Sequence, residues 1–583
     1  MSTFVHDCGF GAQCGIDHDV RFRIWAPDCH AVWLERESVG LSAMHPAGSG
    51  WFETHVAAPT GCRYRYRLGS GDGEAVPDPA AREQAGGVHG WSVVCDPRNY
   101  NWRCPNWRGR PWHEAVIEEV HVGLLGGFGG VRGHLRELAA TGITAIELMP
   151  VAEFPGARNW GYDGVLPFAP AAAYGTPAEL KELIDSAHEL GLMVLLDVVY
   201  NHFGPDGNYL PRYASPFFRS DVPTPWGAAI DMGRHEVAEF FICNALYWLN
   251  EFRFDGLRID AAHAIADQEW LATLAARVRG TSNGRHVHLV LEHDGNAANL
   301  LERGFDAQWD DDFHHAMHVL LTGETRGYYV EYAREPMALL ARSWREGFAW
   351  QGEISEYRDG VKRGEPSAHL RSTAFVVFLQ NHDQIGNRAF GERLTKLVAP
   401  RQLAAALAFV LLSPMIPMLF MGEEYGEQAP FLYFTDHHDE LADAVREGRR
   451  REFARFAEFS DPAQREQIPD PNAEATFAAS RPLLPANLAE RRRAVVELIA
   501  LRQREVVPWL SGPGARMTEV ISERALRASW VRGDSRRLHL YLNLGTQPIA
   551  LPSSSARVLY CSRDDAKYPH GQLAPESLLA LLE

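Results

Sequence analysis

The stretch Phe254-Asp255-Gly256-Leu257-Arg258-Ile259-Asp260 decides the fold, because it reads as a buried parallel strand that ends on a charged pair. Side chains alternate along a strand, so Arg258 and Asp260 project one way while Leu257 and Ile259 face the opposite layer. A fixed positive charge beside a carboxylate lowers its pKa by about 1–3 pH units. This predicts an ionised Asp260, available as a nucleophile at neutral pH. A structural ion pair at a strand end would use the same residues, and the surrounding sequence has to separate the two readings.

Outward from this strand, the chain from Glu114 onward alternates short apolar strands with amphipathic helices, the pattern of a parallel sheet with crossover helices. The predicted strands are Val116 to Val122, Ala145 to Pro150, Met193 to Tyr200, Phe254 to Asp260, His288 to His293, Asp306 to Asp310, Phe375 to Gln380 and Met415 to Met421. Leu180, Leu183, Ile184, Ala187 and Leu190 form one helical stripe behind a Thr176-Pro177 start. Eight such units predict a closed (β/α)8 TIM barrel, an α/β fold, over residues 101–510. The Gly/Pro-rich excursion Phe203 to Arg234 is long enough to be functional or a small inserted subdomain.

Residues 1–100 hold short β-prone runs between Gly, Pro and Asp turns (Val20 to Trp25, Ala31 to Arg36, Trp51 to Val56, Tyr64 to Leu68), which predicts an immunoglobulin-like β-sandwich. Trp102, Trp107 and Trp112 in the following link are expected to pack that domain onto the barrel. After the eighth strand come a polar insertion, Phe434 to Leu484, and a helix from Glu490 to Arg504. The run Arg449-Arg450-Arg451 in the insertion is expected to be a solvated helix face. Strands Ala528 to Val531 and Leu538 to Asn543 mark a small C-terminal β-sandwich over 511–583.

A net charge of −18 argues against nucleic-acid or anionic-membrane partners, which need a basic surface. Leu403 to Met421 is nearly all apolar, but Pro414 and Pro417 divide it into a buried helix, Gln402 to Leu412, and a buried strand, so no membrane span is expected. Met1 to Asp7 has neither a basic nor an apolar signal region, and the eight cysteines show no paired or metal-ligand spacing. Both point to a cytoplasmic chain with reduced thiols. Composition leaves the oligomeric state open.

In a TIM barrel the active site lies at the C-terminal ends of the strands. The third strand ends Asp197-Val198-Val199-Tyr200-Asn201-His202, the fourth Arg258-Ile259-Asp260, the fifth Leu291-Glu292-His293-Asp294 and the seventh Gln380-Asn381-His382-Asp383. So many carboxylates at one mouth raise each other's pKa and cost folding energy, so function is the economical explanation. His202, Asp260, Glu292 and His382 could ligate a metal, but Arg258 would push its charge into that site and no metal-binding helix motif is present, so neither a metal nor a cofactor is expected. Two carboxylates on adjacent strands suit glycoside hydrolysis better. Glu292 follows Leu289-Val290-Leu291, where desolvation would keep it protonated as the general acid.

These four strand ends resemble the short motifs of the α-amylase superfamily of retaining glycoside hydrolases. The resemblance implies that Asp260 is the nucleophile, Glu292 the general acid/base and Asp383 a third carboxylate holding sugar hydroxyls, with His202, Arg258 and His382 on the same sugar. In Asn159-Trp160-Gly161-Tyr162-Asp163, Tyr162 matches the aromatic platform beneath that sugar, with Trp160 and Asp163 beside it. The stretches Gly204 to Leu210, Asp306 to Glu324, Phe378 to Arg388 and Phe420 to Gly426 are similar to the maltooligosyltrehalose trehalohydrolases. That narrower resemblance implies cleavage of the α-1,4 bond next to a terminal trehalose of a maltooligosyltrehalose substrate, with Asp311 and its neighbours Asp310 and Asp312 reading the trehalose. A branching or debranching enzyme on α-glucan oligosaccharides is the alternative. A non-catalytic relative would have lost carboxylates that this chain keeps. The Gly-rich turn after the first strand and the His-Asp pair after Glu292 depart from the family pattern, at the cleft rim and beside the acid.

Overall fold

The computed structural model describes residues 3–224, 227–512, 514–552, 555–563 and 571–583. Its centre is a closed barrel of parallel strands: β1 (Ile117–Val120), β2 (Ala145–Leu148), β3 (Met193–Val198), β4 (Gly256–Ile259), β5 (His288–Leu291), β6 (Ala307–Trp309), β7 (Phe375–Val377) and β8 (Ile416–Phe420). β8 pairs back onto β1 through Ile117 and Met418. Each predicted strand is present but shorter at its ends, because the polar residues that follow leave the sheet to form the barrel mouth.

Alternation along the strands sorts the core. Ile117, Met193, Leu195, Val290, Trp309, Val376 and Met418 fill the barrel interior, while Val194, Leu196, Leu257, Ile259 and Leu289 pack against the helices. Gly256 is required where β4 meets β5, since a Cβ there would lie 2.5 Å from the His288 carbonyl oxygen. Register then aligns Asp197 of β3 with Arg258 of β4, so their side chains share one level inside the mouth.

Local signals explain the helices. Pro177–Glu189 opens with a capping box in which Thr176 Oγ1 accepts from the Glu179 amide and Glu179 accepts from the Thr176 amide. Pro400–Leu412 ends against buried Arg502, which donates to the carbonyls of Leu411, Ser413 and Met415. Arg502 lies on Leu488–Glu505, the helix that packs on Pro400–Leu412 and on Gly127–Thr141 and completes the outer ring. No helix of the described residues is long and apolar enough to cross a membrane.

Two small sheets precede the barrel, one built on Asp19–Trp25 and Trp51–Ala57 and the other on Val32–Arg36 and Arg63–Leu68. A five-stranded sheet that includes Ala525–Val531, Arg537–Asn543 and Ser577–Leu582 follows it. Of the linker tryptophans, Trp102 meets Phe4 of the N-terminal region as well as His188, whereas Trp107 and Trp112 seat on the floor of the barrel. Trp107 Nε1 donates to Asp255 Oδ1 (2.8 Å), and its ring stacks on His188 with centroids 4.9 Å apart. Asp255 is fully buried at the N-terminal end of the barrel and also receives His188, Arg285 and the Val194 amide.

The arginine run departs from expectation. On helix Asp439–Phe453, Arg449 is buried, donates to the carbonyls of Gly386 (2.6 Å) and Arg388 (3.0 Å), and covers the Phe453 ring. The helix turns this one arginine of the three inward, and it braces the loop that carries Asp383. The excursion folds around a hairpin, Phe218–Thr224 with Gly227–Ile230.

Candidate active site

Arg258 is the centre of the mouth. It is 1% exposed; Nη1 donates to Asp197 Oδ2 and Asp260 Oδ1, each at 2.7 Å, and Nη2 donates to Glu292 Oε2 at 2.8 Å. Its guanidinium lies 4.2 Å above the Trp309 ring, which fixes its plane from beneath. Asp260 and Glu292 thus stand on neighbouring nitrogens of one rigid fork. Their side chains are 12% and 20% exposed, open to solvent only on the cleft side.

The proton placement differs from the sequence-based expectation. Burial pushes the Asp260 carboxyl well above the usual carboxylate range; Arg258 opposes this, and neighbouring Glu292 and Asp197 add to it. Burial also works against a charge on Glu292, yet Arg258 and the Ala261 amide hold it below the usual range. The reason is a count of donors. Glu292 Oε2 receives both Arg258 Nη2 and the Ala261 N–H at 2.8 Å, whereas Asp260 shares Arg258 Nη1 with Asp197. Ala261 presents its amide from a left-handed backbone (φ 38°), a conformation few non-glycine residues adopt. In the open cleft the two carboxyls therefore titrate together, with the proton favouring Asp260.

A second network lies across the mouth. Tyr162 donates to Asp197 Oδ2 at 2.7 Å, and its hydroxyl lies 2.8 Å from His382 Nε2. His382 Nδ1 meets Glu119 of β1, whose other oxygen accepts from the His382 amide at 2.9 Å. Burial works against a charged His382, but Glu119, with help from Asp383, outweighs it and leaves the imidazole above its ordinary value. The sequence reading missed Glu119; its signal was an acidic pair, Glu118-Glu119, inside an otherwise apolar strand. Trp309 and Glu147 of β2 were missed as well, and burial pushes the Glu147 carboxyl well above the usual range.

The remaining predicted residues divide into those that face the cleft and those that support it. Asp383 is partly exposed and held by Asn387 Nδ2 at 2.7 Å, with its carboxyl raised by burial. Asp163 is partly exposed between Asn159 and His437. His202 is buried, with Nε2 3.0 Å from the Tyr162 carbonyl oxygen. Trp160 is a wall rather than a contact surface: it is 5% exposed, donates to the Leu432 carbonyl and stacks on Phe431 behind His382. Of the three consecutive aspartates only Asp311 faces the opening. Asp310 caps helix Asp311–Thr322 and accepts from Ser343, while Asp312 is buried among Tyr332, Arg363, Asn296 and two backbone amides. Among the described residues no group of three or more His, Cys, Asp or Glu is arranged to hold a metal ion.

An alpha-amylase catalytic-domain family matches residues 77–218, and a domain of unknown function, DUF3459, matches 513–579. A malto-oligosyltrehalose trehalohydrolase from a Rhizobium species is 39% identical over 575 residues, covering 93% of this chain and 94% of that protein. The chain belongs to the malto-oligosyltrehalose trehalohydrolase family. The Saccharolobus solfataricus trehalohydrolase of that name is 41% identical over 485 residues, covering 80% of this chain and 82% of that protein. A solved structure from Salmonella typhimurium superposes with a TM-score of 0.93 at 41% identity, covering 99% of this chain and all of that one. The similarity to these trehalohydrolases spans barrel and flanking domains together.

Proposed function

We propose that this chain is a retaining glycoside hydrolase that cuts the α-1,4 bond beside the terminal trehalose of a maltooligosyltrehalose, releasing trehalose and a shortened maltooligosaccharide. The observation that supports the mechanism is the Arg258 fork, which holds the two carboxyls side by side on one guanidinium, the close pairing that a retaining reaction uses. The relatives' shared name carries the substrate.

In this reading a glucose ring rests on Tyr162, with hydroxyls held by His202, Arg258, His382 and Asp383. Its anomeric carbon, partly positive, faces Asp260, and the glycosidic oxygen faces Glu292. That placement favours a charge on Asp260 and a proton on Glu292, so substrate entry moves the shared proton to where the first step needs it. Asp260 attacks the anomeric carbon as Glu292 protonates the leaving oxygen, giving a covalent glycosyl-enzyme; Glu292 then takes a proton from water, which attacks the same carbon and releases Asp260. The leaving trehalose lies on the β5–β6 side, where Asp311 presents a carboxylate with no protein hydrogen-bond partner among the described residues. Cys8, Cys14, Cys29, Cys62, Cys95, Cys104 and Cys243 are in no disulfide, which fits a cytoplasmic setting.

The test is product analysis on a maltooligosyltrehalose and on the maltooligosaccharide of equal length. Because a buried polar group without its partner costs about 1–3 kcal/mol, kcat/KM should fall by about ten- to a hundredfold on the plain oligosaccharide. The first non-trehalose product should be the α-anomer by NMR. Equal rates with maltose in place of trehalose would make the chain a general α-glucan hydrolase, and a β-anomeric first product would end the retaining mechanism.

A further inference from the structure

A cavity of about 830 Å³ opens beside the mouth, away from Glu292, and none of the residues assigned above lines it except through one neighbour. Its walls come from four separate stretches: the loop Gly86 to His89 before the barrel, Pro155-Gly156 after β2, Pro205-Asp206 after β3, and Asp436 to Leu441 after β8. It adjoins the active site across buried His437, whose Nε2 lies 3.4 Å from Asp163 Oδ2. Gly204, one residue before the cavity wall, presses against Asp163 so closely that a Cβ would lie 2.1 Å from its carbonyl oxygen.

Strand order gives the cavity its side. Asp260 ends β4; Glu292, which serves the leaving group, ends β5 on one flank, and the cavity is built from loops after β2, β3 and β8 on the other. A chain threaded through the mouth with its trehalose beyond Glu292 extends its other end into this space. The lining chemistry selects a neutral polyol. Asp206, Asp439 and Glu440 accept hydroxyl protons, His89 and His438 can donate or accept, and Val88, Pro155 and Leu441 offer small apolar edges for sugar carbons. Among the described residues no lysine or arginine lines it, so an anionic ligand has no counter-charge there, and no phenyl, phenol or indole ring floors it for a lipid.

We infer that this cavity binds the outer α-1,4-linked glucose units of the substrate and that the loop Gly86 to His89 makes the N-terminal domain part of the substrate site. This rests on the function proposed above. His89 is positioned for the task by two contacts, Nδ1 to the Tyr209 hydroxyl (2.8 Å) and Nε2 to Asp206 Oδ2 (3.3 Å), which tie the N-terminal domain to the β3 excursion at the cavity edge.

The experiment measures kcat/KM on maltooligosyltrehaloses that differ by one glucose unit at a time, for wild type, His89→Ala and His438→Ala. In wild type kcat/KM should rise with each unit that enters the cavity and then level off. Each variant should lower the ratio of long-substrate to short-substrate kcat/KM by about three- to tenfold, the worth of a hydrogen bond or two. His438 is exposed at the cavity edge, so its variant reports on binding even if His89→Ala loosens the domain contact, which a thermal melt would reveal. Release of trehalose with an unchanged length ratio in both variants overturns the cavity assignment and leaves the proposed function standing. Failure of wild type to release trehalose from any of these substrates overturns both.

Discussion

Replacing Arg258 by methionine keeps an unbranched apolar stem but removes the guanidinium that lies over Trp309 and that three carboxyls share. Asp197, Asp260 and Glu292 each take a 2.7–2.8 Å bond from it, and Arg258 pulls all three carboxyls down against their burial, leaving Asp197 and Asp260 raised and Glu292 below the usual range. Breaking a buried ion pair from one side costs about 3–5 kcal/mol at neutral pH, because the partner charge is left buried and alone. The variant can escape by protonating those carboxyls, and their folded pKa values then stand above the unfolded ones. A group raised in this way stabilises the fold below its unfolded pKa and loses that contribution as pH rises through its folded value. Each carboxyl kept neutral therefore costs about 1.4 kcal/mol per pH unit above about pH 4. Asp197 and Asp260 already stand above the usual range in wild type and contribute little to the difference, so the gap between wild type and Arg258→Met, carried mainly by Glu292, should be widest near pH 7 and narrow by about 2–3 kcal/mol on going to pH 5. Thermal unfolding of both proteins across this range measures it. A gap that stays constant or widens on acidification would refute the shared-cation account.

Asp260→Asn should keep the fold and lose several orders of magnitude in kcat, since an amide of the same shape cannot attack the anomeric carbon; retention of more than about a tenth of wild-type kcat, under ~1.4 kcal/mol of barrier, would move the nucleophile elsewhere. Glu292→Gln should lose the alkaline limb of the kcat/KM profile with most of the activity, and a leaving group that needs no proton should restore part of the rate; an unaltered limb in activity shown to be the variant's own would transfer the acid role. Glu119→Gln removes the partner that raises His382. Because a histidine raised in the fold stabilises it below about pH 6.5 and loses that contribution as pH rises through its folded value, the wild-type advantage in unfolding temperature should be larger at about pH 6 than at about pH 9, and a reversed trend would reject the pairing.

The barrel was legible because its strands are apolar runs that end abruptly in polar residues, and strand alternation alone placed Arg258 beside Asp260. The four motif-bearing strand ends converge for the same reason. What could not be read depends on register and on loop backbone. That Arg258 bonds Asp197 follows from a cross-strand alignment, and that Glu292 gains the Ala261 amide follows from a left-handed turn at a residue that sequence gives no cause to single out. The pKa shifts of Asp260 and Glu292 therefore run in directions opposite to those read from the sequence. Arg449 was misread because composition describes a helix as a whole, whereas burial is decided by which side of the turn meets the neighbouring loop. Asp310 and Asp312 look equivalent to Asp311 in one dimension; the helix start points only the middle one at the opening.

Asp255 carries a practical consequence for anyone dissecting this molecule. The linker before the barrel is a floor, since Trp107 both supplies a hydrogen bond to a fully buried carboxylate and covers the His188 ring that supplies another. A truncated chain starting at Glu114 would contain every barrel strand and still uncover that carboxylate and imidazole to water. Swapping front modules between relatives should thus cut ahead of Trp102, carrying the three tryptophans with the barrel they seal.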